Sequence, residues 1–104
     1  MITTTTETIP NKEIEQILGI ARGSTARARS IGNDILAGLK THVDGEVEEY
    51  TKLQADAREQ AFQRMTNDAK KMGADAVVGI RITSSAIMQG ASEILVYGTA
   101  IKLK

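Results

Sequence analysis

The side chains of this sequence with the most chemistry in them are guanidinium groups set among small hydroxyls. Arg22, Arg27 and Arg29 are interleaved with Ser24 and Thr25, and Asp34 follows shortly after. A guanidinium fork beside a hydroxyl matches the geometry of a phosphate or a carboxylate. Arg27, Arg29 and Asp34 are therefore the candidate ligand-binding residues, for a small anionic molecule. The same residues also make sense as a solvated strand end whose charges pair with each other or with acids of a neighbouring subunit.

The other places where chemistry could reside are poorer. Gly19-Ile20-Ala21-Arg22-Gly23-Ser24 is one residue too short for a phosphate-binding loop and lacks its lysine. Ser24 is not held in the glycine-flanked turn of a nucleophile elbow. Cysteine is absent, which removes the thiol nucleophile, the thiolate metal site and the disulfide. His42 is the one histidine, so no paired-histidine zinc site can form within one chain. It is expected to lie exposed near the end of a first helix. Glu46, Glu48 and Glu49 are explained by the dipole of the helix they begin. Arg81 and Glu93 are expected to pair across two strands. No catalytic residue, metal ligand or cofactor site is assigned.

The elements that must position these groups follow from periodicity. Thr3 to Thr6 are β-branched and favour extended backbone, and Pro10-Asn11 is a turn. A strand starts near Glu13 and runs towards Ala28, with Gly19 and Gly23 as bulges or points of close approach. Ser30 caps a short helix in which Ile31, Ile35, Leu39 and Val43 recur every four residues. Val47, Tyr50, Leu53, Ala57, Ala61, Met65, Ala69 and Met72 predict a long helix, with Lys70 and Lys71 at its end and Gly73 as its cap. Ala76 to Thr83 alternates as a strand, Ser84 to Ser92 is a connection, and Glu93 to Leu103 is the last strand. The order β-β-α-α-β-β is an α+β fold: a small antiparallel sheet packed against one long and one short helix.

Length and charge bound the function. The 104 residues are one domain, 1–104, and the 13 basic and 13 acidic side chains cancel. Without a net positive field, non-specific nucleic-acid binding is not expected. Tyr50, Phe62 and Tyr97 are the only aromatics. The first residues lack the basic start and apolar run of a signal peptide, and no apolar stretch is long enough to span a bilayer, so no membrane partner is expected and the expected location is cytoplasmic. The last strand is apolar on both faces, with Leu95, Tyr97, Ile101 and Leu103 opposite Ile94, Val96 and Ala100. One long helix covers one face, so the short helix or a neighbouring subunit must cover the other.

Several blocks together resemble the YbjQ family: Thr3-Thr4-Thr5, Asp34-Ile35-Leu36-Ala37-Gly38-Leu39, Glu49-Tyr50, Ala57-Arg58, Gly73-Ala74-Asp75-Ala76-Val77-Val78-Gly79 and Tyr97-Gly98-Thr99-Ala100. The resemblance covers essentially the whole chain. It implies an α+β subunit of a ring, a homopentamer, in which short strands help join neighbours; assembly would give the β-branched segment Thr3 to Thr6 a reason to be ordered as an intersubunit strand. The family's label of heavy-metal binding implies a metal partner. Soft metals favour thiolates or several imidazoles, and this chain has no cysteine and one histidine. The expected function is that of a homo-oligomeric binding or scaffold protein. Heavy-metal or metalloid binding, and an enzyme acting on a small anionic metabolite, are the alternatives.

Overall fold

The computed structural model describes residues 1–28, 42–43 and 46–104, with side chains over 1–26 and 51–104. Its elements are β1 (Ile2–Thr3), β2 (Ile14–Ala28), β3 (His42–Val43), β4 (Glu46–Val47), α1 (Glu48–Lys71), β5 (Ala76–Met88) and β6 (Ala91–Leu103). The main sheet has the order β1-β5-β6-β2, and β3 and β4 form a separate two-stranded ladder.

The long helix forms as its stripe demands. Ala57, Ala61, Met65 and Ala69 recur every fourth residue, and all four are buried. Gly73 then takes φ +83°, a conformation that lacks a penalty only without a Cβ. This lets Gly73 N–H donate to the Lys70 carbonyl at 3.0 Å and Ala74 N–H to the Ala69 carbonyl at 3.1 Å. Those bonds satisfy carbonyls that the last turn would otherwise leave without donors.

The small residues of α1 let it lie close against the sheet. At Gly23 of β2, an added Cβ would collide with the Met65 amide nitrogen and the Ala61 carbonyl oxygen. Thr25, the one buried polar residue among those described, donates its hydroxyl to the Ala57 carbonyl at 3.0 Å. Helix and sheet enclose a core of Ala21, Val77, Ile80, Ile94, Val96 and Ala100 against the four stripe residues. A smaller cluster on the opposite face joins Ala76, Val78 and Ile101 to Ile9 and Leu103.

Several expectations change. The sheet is antiparallel except at its first strand: β1 runs parallel to β5, pairing Ile2 with Ala76 and Thr3 with Val77. Thr3 to Thr6 therefore find their partner in their own chain, and the alignment continues to Gly79 N–H donating to the Thr6 carbonyl at 2.8 Å. Part of the second sheet face is covered by Ile9 of this same N-terminal segment, a cover that the sequence did not suggest. Ser84 to Met88 and Ala91 to Ser92 are strand, closed by the two residues Gln89 and Gly90, so the connection is far shorter than expected. The short helix falls on residues outside those described, except at its end, where His42–Val43 is strand paired with Glu46–Val47. Val47 thus precedes the helix and does not belong to it. Arg81 lies opposite Tyr97 and Glu93 opposite Ser85, so those charges do not meet.

Candidate functional site

The strand period of two separates the hydroxyls that the sequence brings together. In β2, Ala21, Gly23 and Thr25 are buried towards α1, while Arg22 and Ser24 are exposed on the opposite face. Thr25 therefore belongs to the core, and only Arg22 and Ser24 remain on one surface. There Arg22 shares a register row with Tyr97 and Arg81, and Ser24 shares the next with Leu95 and Thr83. Arg81 is already engaged: it donates to the Thr5 carbonyl at 3.0 Å and pairs with Glu7 at 3.6 Å.

Of the three candidate ligand-binding residues, Arg27 stands near the end of β2, with its backbone in register with Ser92. Arg29 and Asp34 lie outside the described residues. His42 lies in β3 opposite Val47, a strand position, not the helix end expected of it. Among the described residues no group of three or more histidine, aspartate or glutamate side chains converges to hold a metal ion. No helix among them is long and apolar enough to cross a membrane.

The two long edges of the sheet differ. On β2, side chains of α1 reach around the strand: Asp68 Oδ2 accepts from the Arg22 amide at 3.0 Å, and the Arg64 guanidinium donates to the Ser24 carbonyl at 2.6 Å. These contacts occupy backbone groups that a further strand would need. Towards its start β2 presents Ile14, Ile17 and Ile20, which are exposed, Ile17 by 69% and Ile20 by 63%.

On β5 the N-terminal segment stops at Ile80, whose N–H donates to the Thr4 carbonyl at 3.1 Å. From Arg81 to Gln89 every residue is exposed, and among the described residues no strand pairs with this outer edge. Ile82, Ile87 and Met88 lie on it, each more than half exposed. An unpaired strand with large apolar side chains is a template for another chain.

Between α1 and the outer half of β5 lies a trough. One part, about 210 Å³, is lined by Gln54, Arg58, Ile82, Thr83, Ser84 and Ile94. A second, about 420 Å³, shares Gln54 and Ser84 and extends to the hairpin tip past Ser85, Met88 and Ser92. The trough exists because the helix packs over β2 and β6 and leaves the corresponding face of β5 uncovered. Gln54 donates to Ser92 Oγ at 2.8 Å across it. Reading the sequence for site residues passed over Gln54 and Arg58. They are four residues apart on a helix and border the alanine stripe, so their shared side was legible, but the strand facing them was not.

Comparison with known proteins agrees with this architecture. The YbjQ family model, described as "Putative heavy-metal-binding", matches residues 1–104. A UPF0145 protein of Archaeoglobus fulgidus is 56% identical over 104 residues, covering 100% of this chain and 96% of the relative. A UPF0145 protein of Colwellia psychrerythraea is 58% identical, covering 100% and 99%. A crystal structure of a Pediococcus pentosaceus protein of unknown function, from the DUF74 family, superposes with a TM-score of 0.70 at 16% identity, covering 100% of this chain and 98% of that one. At that identity the likeness establishes the α+β fold alone.

Proposed function

We propose, for a chain that belongs to the YbjQ family over its whole length, a role as a cytoplasmic homo-oligomeric binding or scaffold protein assembled as a ring, a homopentamer. The observation that carries this reading is the outer half of β5, exposed from Arg81 to Gln89 and unpaired among the described residues. The start of β2, with Ile14, Ile17 and Ile20, offers a second and different apolar surface on the far side of the sheet. Contacts between unlike surfaces repeat head to tail, and a rotation that closes gives a ring with no edge left over. The shape supports the same reading. The radius of gyration is 17.1 Å, against about 13 Å for a compact chain of this length.

The heavy-metal binding of the family description has less support here. The sequence holds no cysteine and one histidine, and the described residues hold no donor cluster. The test of assembly is sedimentation equilibrium at micromolar concentration, on the full chain and on the double variant Ile20→Lys, Ile87→Lys. A ring predicts a several-fold multiple of 11.2 kDa for the first and a smaller mass for the second. A full-length species of 11.2 kDa would overturn the proposal.

A further inference from the structure

We infer that the trough between α1 and the outer half of β5 is a binding site for a small hydroxylated organic anion, with Arg58 as the anchor for its carboxylate or phosphate. The lining described belongs to one subunit and lies on the α1-facing side of β5, beside the outer edge that the assembly reading uses, so the inference goes beyond that reading and is tested separately from it. Among the described residues, Arg58 is the only charged one lining either part of the trough, and no carboxylate of theirs lines it. Arg64 and Arg81 spend their guanidinium donors on backbone carbonyls, and Arg81 also on Glu7. Arg58 has no such partner among the described residues, so its fork remains free to bind a planar anion through two parallel bonds.

The rest of the lining defines the body of the ligand. Ile82 and Ile94 give an apolar floor beside the arginine, able to take a short carbon chain. Beyond them Ser84 and Ser92, on the α1-facing side of the sheet with Ile82 and Ile94, supply hydroxyls that donate or accept as needed, and the Gln54 carboxamide lies between the two parts, donating to Ser92 Oγ. A fully apolar acid would leave the Ser84 hydroxyl without a partner in the trough, whereas hydroxyls on a short chain would meet it and the acceptor oxygens of Gln54 and Ser92. The part that Arg58 lines is about 210 Å³, and the larger part that adjoins it through Gln54 and Ser84, about 420 Å³, falls in the range of small-molecule sites. Carboxylate and phosphate both suit the guanidinium, so the chemistry shared by the two defines the class.

The experiment uses the full chain, labelled with ¹⁵N, in four titrations: D-glycerate, glycerol 3-phosphate, 3-phosphoglycerate and glycerol. At least one anion should give saturable amide shifts centred on Gln54, Ser84, Ser85 and Ser92, while glycerol gives none. Comparing D-glycerate with glycerol 3-phosphate identifies the preferred headgroup. Arg58→Gln should weaken binding at least tenfold and Arg58→Lys by less, because lysine keeps the charge but loses the fork. Ser84→Ala should weaken binding several-fold, and Arg22→Gln on the opposite face should leave it unchanged. The inference fails if no anion saturates up to 10-fold above physiological millimolar levels (on the order of 10 mM). It also fails if Arg58→Gln binds as the native chain does, or if the shifts centre elsewhere. Sedimentation of the same samples separates these results from assembly, since loss of the ring with binding intact would touch only the earlier proposal.

Discussion

Replacing Gly23 with alanine adds one methyl group at the closest approach of helix and sheet. The new Cβ would overlap the Met65 amide nitrogen and the Ala61 carbonyl oxygen, and would come within 2.7 Å of the Arg64 carbonyl carbon. All three are backbone atoms, so no side-chain rotation relieves the clash and α1 must withdraw from β2. Overpacking of this kind costs about 1–3 kcal/mol. Withdrawal also opens a gap beneath Ala57, Ala61, Met65 and Ala69, and a gap of roughly 0.5–1 Å forfeits a quarter to a half of each contact's attraction. It lengthens the Thr25–Ala57, Arg22–Asp68 and Arg64–Ser24 hydrogen bonds, each worth about 1 kcal/mol. The expected loss is therefore about 3–5 kcal/mol, a large share of the roughly 5–15 kcal/mol that holds a domain together. Gly73→Ala is the control. Its site has open space around it and φ +83°, so it should cost only about 1 kcal/mol, a purely conformational penalty. Urea denaturation at one fixed protein concentration measures both, because any assembly would make the midpoint concentration-dependent. A Gly23→Ala loss below 1 kcal/mol, or below that of Gly73→Ala, would refute the close-approach argument.

Further outcomes follow from the same packing and from composition. Ala61→Leu, at a fully buried stripe position facing Gly23, should cost at least about 1–3 kcal/mol, while Gln63→Leu on the exposed side should change stability by a few tenths of a kcal/mol. Equal and mild effects in chemical denaturation would mean that the buried face is misassigned. Untagged protein should carry no stoichiometric zinc, copper or cadmium after dialysis, for want of thiolates. Elemental analysis finding about one ion per subunit or per ring would overturn this.

The sequence by itself determined the long helix and its buried face, because Ala57, Ala61, Met65 and Ala69 repeat with the helical period and Gly73 stops them. It left Gly23 as a bulge or a point of close approach, and the packing against Ala61 and Met65 of α1 decided for the second. It determined that Pro10-Asn11 turns and that the last two strands pair as a hairpin. The helix, the turn and the hairpin depend on contacts or conformations local to one element or its neighbour. The candidate site was only partly legible. The Arg22, Ser24, Thr25 grouping looked like one cluster, but the strand's alternation sends Thr25 into the core and Arg22 to the opposite face. Tertiary structure alone decided that Thr3 to Thr6 lie beside β5 of the same chain. Parallel pairing joins residues more than 70 positions apart and leaves no mark in local spacing. It also decided where Arg81 would find its acid: Glu7 reaches it from that distant segment, while Glu93, nearer in sequence, is held by register four strand positions from Tyr97, opposite Arg81. The trough has the same origin. Gln54 and Arg58 share a helix side by periodicity, but their meeting with Ser84 and Ile94 depends on how far one helix extends across three strands, and only the packed fold sets that width.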